Sequence, residues 1–251
     1  MVGIPTFIVN LEEDSDRLQN VTRQLDPSHF EMRERIGFLG RMMPDGACLR
    51  LTRDPNSISN KGALGVMMSH ILIWERIAAS NAPFALVLED DVVLKDPERL
   101  TSANLPDKFD LIFCGDLTAS EDGITDPQAP LTFVPALQGI PIIESKKSSV
   151  GAYGYLLSPT GARRLLALFS EHLYFGHVDV RMMAYCCDLG SLNRLGPLGR
   201  VTEELRAIRR LIDDRPIIAG YVMCQPLVTH VGMTSRRERE DTIGSGATTP
   251  Q

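Results

Sequence analysis

The stretch LVLEDDVVL, residues 86–94, places three adjacent carboxylates between two apolar runs. Apolar runs of this length form buried strands or short core helices, and valine on both sides favours a strand. Because an unpaired ion is costly to bury, the carboxylates must emerge where the strand ends. There they meet water, a cation or basic side chains.

This acidic cluster has two interpretations. Mg²⁺ and Mn²⁺ prefer oxygen ligands of this kind and often share them with the phosphates of a substrate. The alternative is a solvated acidic turn after a strand. The nine residues alone leave both interpretations open.

Strand and helix patterns alternate on both sides of this stretch. Apolar runs predict strands at 4–9, 84–89, 110–114 and 153–157. Helical spacing predicts helices through Leu18 to Leu25, over 64–78, from Ser158 onward and over 203–214, whereas 26–61 is interpreted as loops with one short strand or helix. The alternation indicates an α/β fold, Rossmann-like, with a mostly parallel sheet covered by helices on both faces.

The length of 251 residues, of which 43% are hydrophobic, predicts a single domain over 1–235. The segment 236–251 is charged and then small and polar, which predicts a disordered tail. The segment 117–149 is rich in Pro, Asp and Ser, and a segment of that length is usually functional or mobile.

Charge and cysteine usage exclude several classes of protein. The net charge of −6 argues against broad binding to nucleic acid. Five cysteines without a CxxC spacing argue against structural zinc and against a disulfide framework. The chain has no apolar run of about 20 residues and no basic, signal-like start, so we expect a cytoplasmic protein.

Two phosphate-binding motifs are absent from the sequence: a GxxxxGK[ST] loop and a GxGxxG after the first strand. A phosphatase-like hydrolase with an aspartyl nucleophile is a weaker alternative. It would place Glu89 where the nucleophilic aspartate belongs, and the longer glutamate side chain would misplace the attacking oxygen. A misplacement of about 1 Å costs about 100-fold in rate.

Several blocks occur in an order that resembles glycosyltransferase family 25, the lipooligosaccharide and collagen galactosyltransferase-like group. They are IPTFIVNLEEDSDR at 4–17, GALGVMMSHILIWERI at 62–77, FALVLEDDVVL at 84–94, and GAYGYLLSPTGARRLL at 151–166 followed by HVDVRM at 177–182. The resemblance implies a GT-A-like fold, a UDP-sugar donor and a divalent metal, Mn²⁺ or Mg²⁺. The resemblance is weakest over 117–149 and in the tail, so it does not identify the acceptor.

By this resemblance, Glu89, Asp90 and Asp91 act as a DxD-like triplet whose metal bridges the two phosphates of the donor. On an extended strand Glu89 and Asp91 share a face and Asp90 opposes them. We expect Asp91 to be the direct metal ligand, with a neighbour acting through water or holding the ribose.

The resemblance also places Asn10, Arg17 and His70 at the donor site. Asn10 would hydrogen-bond the nucleotide, and Arg17 would approach a phosphate or organise the turn. The structural alternatives are that Asn10 caps a turn, that Arg17 pairs with a nearby carboxylate, and that His70 is a buried hydrogen-bonder.

Transfer with inversion requires a general base that takes the proton of the acceptor hydroxyl. Asp179 is the candidate that the family match implies, and Asp116, after the strand 110–114, is its rival. Asp179 could instead cap the helix that begins near Val180. His230 is a candidate late metal ligand, although such a histidine is more often structural.

These features lead to one expectation and two alternatives. We expect a metal-dependent inverting glycosyltransferase that moves a sugar, by resemblance galactose, from a UDP-sugar to a hydroxyl of a lipooligosaccharide or other surface glycan. The alternatives are a non-catalytic glycan-binding or scaffold member of the same fold and the hydrolase. The arginines of 200–210 indicate either contact with anionic lipid at the inner membrane or a solvated, salt-bridged helix face.

Overall fold

The computed structural model describes residues 3–52, 56–115, 129–136, 151–171, 177–187, 208 and 217–230. Its centre is a seven-stranded sheet in the order β2-β1-β3-β7-β5-β8-β6, and a separate two-stranded sheet joins β4 to β9. The strands are β1 Ile4–Val9, β2 Phe30–Ile36, β3 Ala85–Glu89, β4 Val92–Leu94, β5 Leu111–Phe113, β6 Phe133–Pro135, β7 Gly154–Leu157, β8 Gly220–Met223 and β9 Val228–His230.

Five of the seven strands of the main sheet run in the same direction, which confirms the mostly parallel sheet. β1 pairs in parallel with both β2 and β3, and β5 pairs in parallel with β8. β7 lies antiparallel between β3 and β5, and β6 lies antiparallel on β8 at the edge. Because β7 is reversed, its first residues lie at the same edge as the last residues of β1 and β3.

Helices cover both faces of the sheet, as predicted. The helices are α1 Ser15–Thr22, α2 Asp45–Thr52, α3 Asn56–Ser59, α4 Lys61–Ala78, α5 Pro159–Glu171 and α6 Val178–Cys186. α4, α5 and α6 pack on the face that carries Phe7, Val87 and Tyr155. α1 packs on the opposite face, together with the β4–β9 pair and the 3₁₀ helix Pro97–Ser102.

The longest helix, α4, shows how the sequence determines these elements. It begins after Asn60, whose side chain accepts a hydrogen bond from the amide of Ala63 and so satisfies one of the free amides of the first turn. Its buried stripe includes Leu64, Ile73 and Trp74, which lie within the core against α5. Burial of side chains of this size contributes roughly 1.5 to 3 kcal/mol each.

The predicted helix start at Ser158 is also confirmed. The Ser158 hydroxyl accepts a hydrogen bond of 3.0 Å from the amide of Gly161, and Pro159 is the first helical residue. The predicted strands at 4–9, 84–89, 110–114 and 153–157 all occur, within one or two residues at their ends.

The interpretation of 26–61 as loops with one short element was wrong. This region holds β2, the 3₁₀ helix Gly40–Met42, α2 and α3. β2 is an edge strand whose buried residues, Phe30 and Ile36, lie only at its two ends, so its sequence lacks the alternation that marks a half-buried strand.

Three predictions lie outside the described residues: the helix over 203–214, apart from Ile208, the tail 236–251, and the segment 117–149, apart from 129–136. Among the helices that the structure does describe, none is long and apolar enough to cross a membrane.

Candidate functional site

The acidic cluster lies at the carboxyl edge of the sheet, where β1 and β3 end side by side. Val9 pairs with Glu89 in the last register position, so the residues that follow the two strands are neighbours. The Asn10 side-chain amide donates a hydrogen bond of 2.7 Å to Asp90 Oδ2 and another of 2.9 Å to the carbonyl of Asp14. Asn10 therefore both holds the turn into α1 and orients the cluster.

Arg17, from the first turn of α1, supplies the positive charge in this cluster. Its Nη2 lies 3.0 Å from Asp90 Oδ1 and 2.9 Å from Asp91 Oδ2. The chain turns at Asp90 and Asp91 instead of continuing as a strand, so both carboxylates reach the same guanidinium. The expected strand alternation, with Asp90 opposing its neighbours, therefore ends at Glu89.

His230 reaches the cluster from the second sheet. β9 pairs antiparallel with β4, and Val92 lies opposite His230. This register places His230 Nε2 3.2 Å from Asp91 Oδ2, and the imidazole packs against the ring of Tyr153 at 5.1 Å between centroids. A histidine 139 residues away in sequence is thus brought to Asp91, and its role as a metal ligand stays a prediction.

The cluster is incompletely neutralised. Asp91 Oδ1 and Asn10 Oδ1 are buried oxygens without a hydrogen-bond partner in the described part of the chain. Burial raises the pKa of Asp90 to about 6, although Asn10 and Arg17 oppose the shift. Burial, and then the charge of Glu89, also raise the pKa of Asp91. Two acceptors therefore remain unsatisfied in a region of excess negative charge, which is an arrangement suited to a cation.

Glu89 has a different neighbour from the two aspartates. Its Oε1 lies 3.3 Å from His70 Nε2, on α4. His70 is fully buried, so it lies behind Glu89 and reaches the site only through that carboxylate. Tyr155 and Trp74 lie behind His70 and were interpreted from sequence only as strand and core. A buried Tyr or Trp usually needs a hydrogen-bond partner for its O–H or N–H group, and this requirement could have predicted a polar contact for both residues.

A cavity of about 440 Å³ opens in front of these groups. It is lined by all the predicted donor-site and metal-site residues except His70, and Asp179, at the start of α6, also lines it. The rival base, Asp116, lies outside the described residues. The structure therefore brings together Asn10, Arg17, Glu89, Asp90, Asp91, Asp179 and His230.

The loop after β2, residues 37–41, also lines the cavity and lies against α4. A Cβ on Gly40 would lie 1.9 Å from the carbonyl oxygen of Lys61, and one on Gly65 would lie 2.7 Å from the amide nitrogen of Gly40. Both distances are far below van der Waals contact, so the loop after β2 lies directly on α4 only because both positions are glycine. This close contact fixes the shape of the cavity wall.

The described residues contain no group of three or more His, Cys, Asp or Glu side chains arranged to hold a metal ion by themselves. Arg17 already engages one oxygen of each aspartate. The free oxygen of Asp91 nevertheless fits a metal whose remaining ligands come from a substrate, because Mg²⁺ is commonly held by one or two carboxylates and substrate phosphates.

Comparisons with known proteins agree with the resemblance. The family model for glycosyltransferase family 25 (LPS biosynthesis protein) matches residues 3–182. The inactive glycosyltransferase 25 family member 3 of Mus musculus is 34% identical over 114 residues, which is 43% of this chain and 18% of that protein. Procollagen galactosyltransferase 1-B of Xenopus laevis is 26% identical over 176 residues, which is 64% of this chain and 27% of that protein.

A solved structure, the apo-form glycosyltransferase GlyE of Streptococcus pneumoniae, aligns with a TM-score of 0.41 at 10% identity, over 93% of this chain and 55% of that one. The curated relatives are matched over only about a fifth to a quarter of their own length. The family model, in contrast, spans most of the chain and includes the acidic cluster, Asn10, Arg17 and Asp179. The chain belongs to glycosyltransferase family 25.

Proposed function

We propose that this chain is a metal-dependent inverting glycosyltransferase with a GT-A-like fold, which moves a sugar from a nucleotide-sugar donor to a hydroxyl group. The observation that carries the proposal is the buried, incompletely neutralised pair Asp90 and Asp91 at the head of a cavity. A structural acidic turn would direct these carboxylates to solvent, whereas here they are desolvated and one oxygen is left without a partner.

Asp91 is the principal metal ligand in this proposal, with Glu89 and His230 as further candidates. The raised pKa of Asp91 reflects burial and the neighbouring Glu89 charge, both of which a divalent cation would offset. When bound, Mn²⁺ or Mg²⁺ would neutralise the diphosphate that leaves with the nucleotide. Asp91 with one of these two candidates would suit a metal that takes its remaining ligands from the substrate.

Arg17 and Asn10 bind the nucleotide diphosphate in this proposal. Arg17 lines the cavity, and a guanidinium is well matched to phosphate oxygens. Asn10 presents a buried carbonyl oxygen without a partner, which is suited to accept a hydrogen bond from the nucleotide. Both residues follow β1, where ligands of open α/β sheets usually bind.

Asp179 is proposed as the general base. It lines the same cavity from the first turn of α6. In the reaction the acceptor oxygen forms a bond to the anomeric carbon, the bond from that carbon to the phosphate oxygen breaks, and the acceptor proton passes to the Asp179 carboxylate. Asp116 remains the rival for this role.

The finer identity of the substrates rests on the family and its relatives. The family description names LPS biosynthesis, and one relative is a procollagen galactosyltransferase. We therefore propose UDP-galactose as donor and a lipooligosaccharide or other surface glycan as acceptor, handled in the cytoplasm by a protein with peripheral contact to the inner membrane.

A second candidate function is a non-catalytic, glycan-binding member of the family. It is favoured by the relatives that carry the word inactive in their names, among them the mouse protein. Such a protein would retain the cavity and bind ligand without turnover, so binding and turnover must be measured separately.

The first experiment is a thermal shift series with UDP, Mn²⁺ and both together, followed by turnover of UDP-galactose. Ligand at 100 times its dissociation constant stabilises a protein by about 2.7 kcal/mol, and we expect this size of effect only with both present. Asp91→Ala should lose the joint effect and the turnover. Asp107→Ala, an exposed carboxylate outside the cavity, is the matched control.

Each result separates the candidates. Joint stabilisation with turnover in the wild type and in Asp107→Ala supports the transferase. Joint stabilisation without turnover favours the non-catalytic member. UDP binding that is indifferent to Mn²⁺ and to Asp91 contradicts the metal-dependent site.

A further inference from the structure

Three buried side chains form a continuous hydrogen-bonded line behind Glu89. Trp74 Nε1 donates to the Tyr155 hydroxyl at 2.8 Å, and that hydroxyl lies 2.8 Å from His70 Nδ1. His70 Nε2 in turn lies 3.3 Å from Glu89 Oε1. Trp74, Tyr155 and His70 are each fully buried, whereas Glu89 faces the cavity. We refer to these four residues as the relay.

The direction of each hydrogen bond in the relay follows from counting donors. The indole N–H of Trp74 can only donate, so the Tyr155 oxygen accepts from it. Burial raises the pKa of Tyr155 well above its usual value, so the phenol keeps its proton. Among the described residues the Tyr155 hydroxyl has no other acceptor, so we assign its proton to the bond with His70 Nδ1, which is then the unprotonated nitrogen. His70 then carries its proton on Nε2 and donates it to Glu89.

The relay separates Glu89 from the other two carboxylates of the cluster. Asp90 and Asp91 are both paired with the Arg17 guanidinium. In the part of the chain that the structure describes, Glu89 has no ion pair with an arginine or lysine, and its recorded partner is the His70 ring. A carboxylate supported in this way repels phosphate and attracts a hydroxyl donor.

We propose that the relay fixes His70 in its Nε2–H tautomer and thereby orients Glu89 to accept a hydrogen bond from a hydroxyl of the nucleotide sugar. This inference rests on the proposed function and extends it by assigning Glu89 to the nucleotide sugar, which leaves Asp91 and His230 as the candidates for the metal. His70 is a positioning residue, because it acts through Glu89. The hydroxyl belongs to the ribose or to the transferred sugar, which share the same chemistry and are distinguished by the test below.

The relay makes the position of Glu89 costly to change. Rotating its carboxylate away would leave the buried Nε2–H of His70 without an acceptor, and a buried polar group without a partner is unfavourable. Removing a partner that orients a ligand-binding group in this way typically lowers affinity or activity by about 10- to 100-fold.

Three variants test the relay. His70→Leu removes the donor to Glu89, whereas His70→Gln retains an amide N–H that can replace it. Tyr155→Phe removes only the hydroxyl that fixes the tautomer. Nitrogen-15 NMR of the histidine rings in the ligand-free protein should show His70 as the Nε2–H tautomer in the wild type. In Tyr155→Phe this preference should weaken, because only the Glu89 carboxylate then favours that tautomer.

Binding is then measured with inorganic pyrophosphate, UDP and UDP-galactose, each with Mn²⁺. We expect His70→Leu to weaken the binding of a hydroxyl-bearing ligand by about 10- to 100-fold and to leave the binding of pyrophosphate unchanged. In His70→Gln the affinity for the hydroxyl-bearing ligand should return toward that of the wild type. Weaker binding of UDP-galactose alone assigns the hydroxyl to the transferred sugar. Equal weakening of UDP and UDP-galactose assigns it to the ribose.

Several outcomes would overturn the inference. These are a wild-type His70 with its proton on Nδ1, equal losses for all three ligands including pyrophosphate, and no loss for any of them. Failure of the proposed function looks different, because a wild type that binds UDP-galactose without turning it over leaves the tautomer and affinity results intact. Melting temperatures of all variants, with Asp107→Ala as control, identify any that are unfolded.

Discussion

Two buried aspartates at opposite edges of the sheet differ in how completely they are satisfied. Asp110 precedes β5, is 2% exposed, and accepts hydrogen bonds from Arg164 and from the amide of Ala219. Asp91 follows β3, is 8% exposed, and keeps one oxygen without a partner although Arg17 and His230 contact the other. The first arrangement joins elements of the fold, and the second leaves capacity for a ligand.

The backbone around Asp110 supports the structural role of that residue. Its carbonyl oxygen accepts a hydrogen bond of 3.0 Å from the amide of Ser158, where α5 begins, and its side chain reaches Ala219 just before β8. Asp110 thus ties together β5, α5 and β8. What distinguishes Asp91 from Asp110 is therefore its incomplete hydrogen bonding and not the burial of its charge.

The sharpest way to break the comparison is Asp91→Asn, which keeps the shape of the side chain and removes its charge. We expect turnover of UDP-galactose to fall by about 100- to 1000-fold, because charge stabilisation at the leaving group is lost. The free energy of unfolding should change little, since the aspartate charge is already disfavoured by burial. Wild-type turnover in this variant would contradict the role of Asp91.

Asp110→Ala should show the opposite pattern. We expect the free energy of unfolding to fall by about 2 to 3 kcal/mol, because Arg164 and the Ala219 amide both lose a charged acceptor. Urea denaturation measures this loss. Turnover per folded molecule should stay near that of the wild type, and a selective loss of turnover at full stability would show that the two aspartates are not functionally distinct.

Stability as a function of pH sharpens the comparison further. The pKa of Asp90 in the folded protein is about 6, above its ordinary value of 3.8, because of burial. The folded protein therefore binds more protons than the unfolded chain between about pH 4 and pH 6, and stability falls as pH rises through this window.

In Asp90→Asn this contribution disappears. With a chelator present, we expect a smaller decline in unfolding free energy from about pH 4 to about pH 7, by on the order of 1 to 2 kcal/mol relative to wild type. Urea titrations at several pH values provide the measurement. A wild-type decline that Asp90→Asn leaves unchanged would assign the effect to other groups.

The smallest expected effect is that of Gln24→Ala. The Gln24 side chain accepts from the amide of Leu94 at 2.8 Å and donates to the carbonyl of Val92 at 3.2 Å, so it holds β4 directly after the acidic turn. We expect a loss of about 1 kcal/mol in stability. Turnover should be retained, and a loss as large as that of Asp91→Asn would mean that β4, and not the aspartate charge, maintains the site.

Much of this architecture could be predicted because its signals are local. Local apolar patterns are enough to predict β1, β3 and α4. The ends of the two strands then predict that Asn10 and Glu89 lie at the site. β2 was not predicted from the sequence because an edge strand with an exposed centre lacks the period-two pattern. The reversed direction of β7 has no local signature, since it is determined by pairing with β3 and β5.

The site shows the same division between local and distant information. The carboxylates of 89–91 were evident, but the sharing of Arg17 by Asp90 and Asp91 depends on a turn that interrupts the strand. The position of His70 behind Glu89 depends on how α4 packs on the sheet. Contacts between residues far apart in sequence carry no periodicity, so sequence could propose the members of the site but not their partners.

The contact between Gly40 and Gly65 has a consequence for how this site can diversify. Adding even a methyl group at either position would push the loop off the helix, so the spacing between loop and helix is fixed. Variation along this wall is left to the side chains that line the cavity beside the glycines, such as Phe38, Leu39 and Val66. The lining can therefore change one side chain at a time while the loop keeps its place on α4.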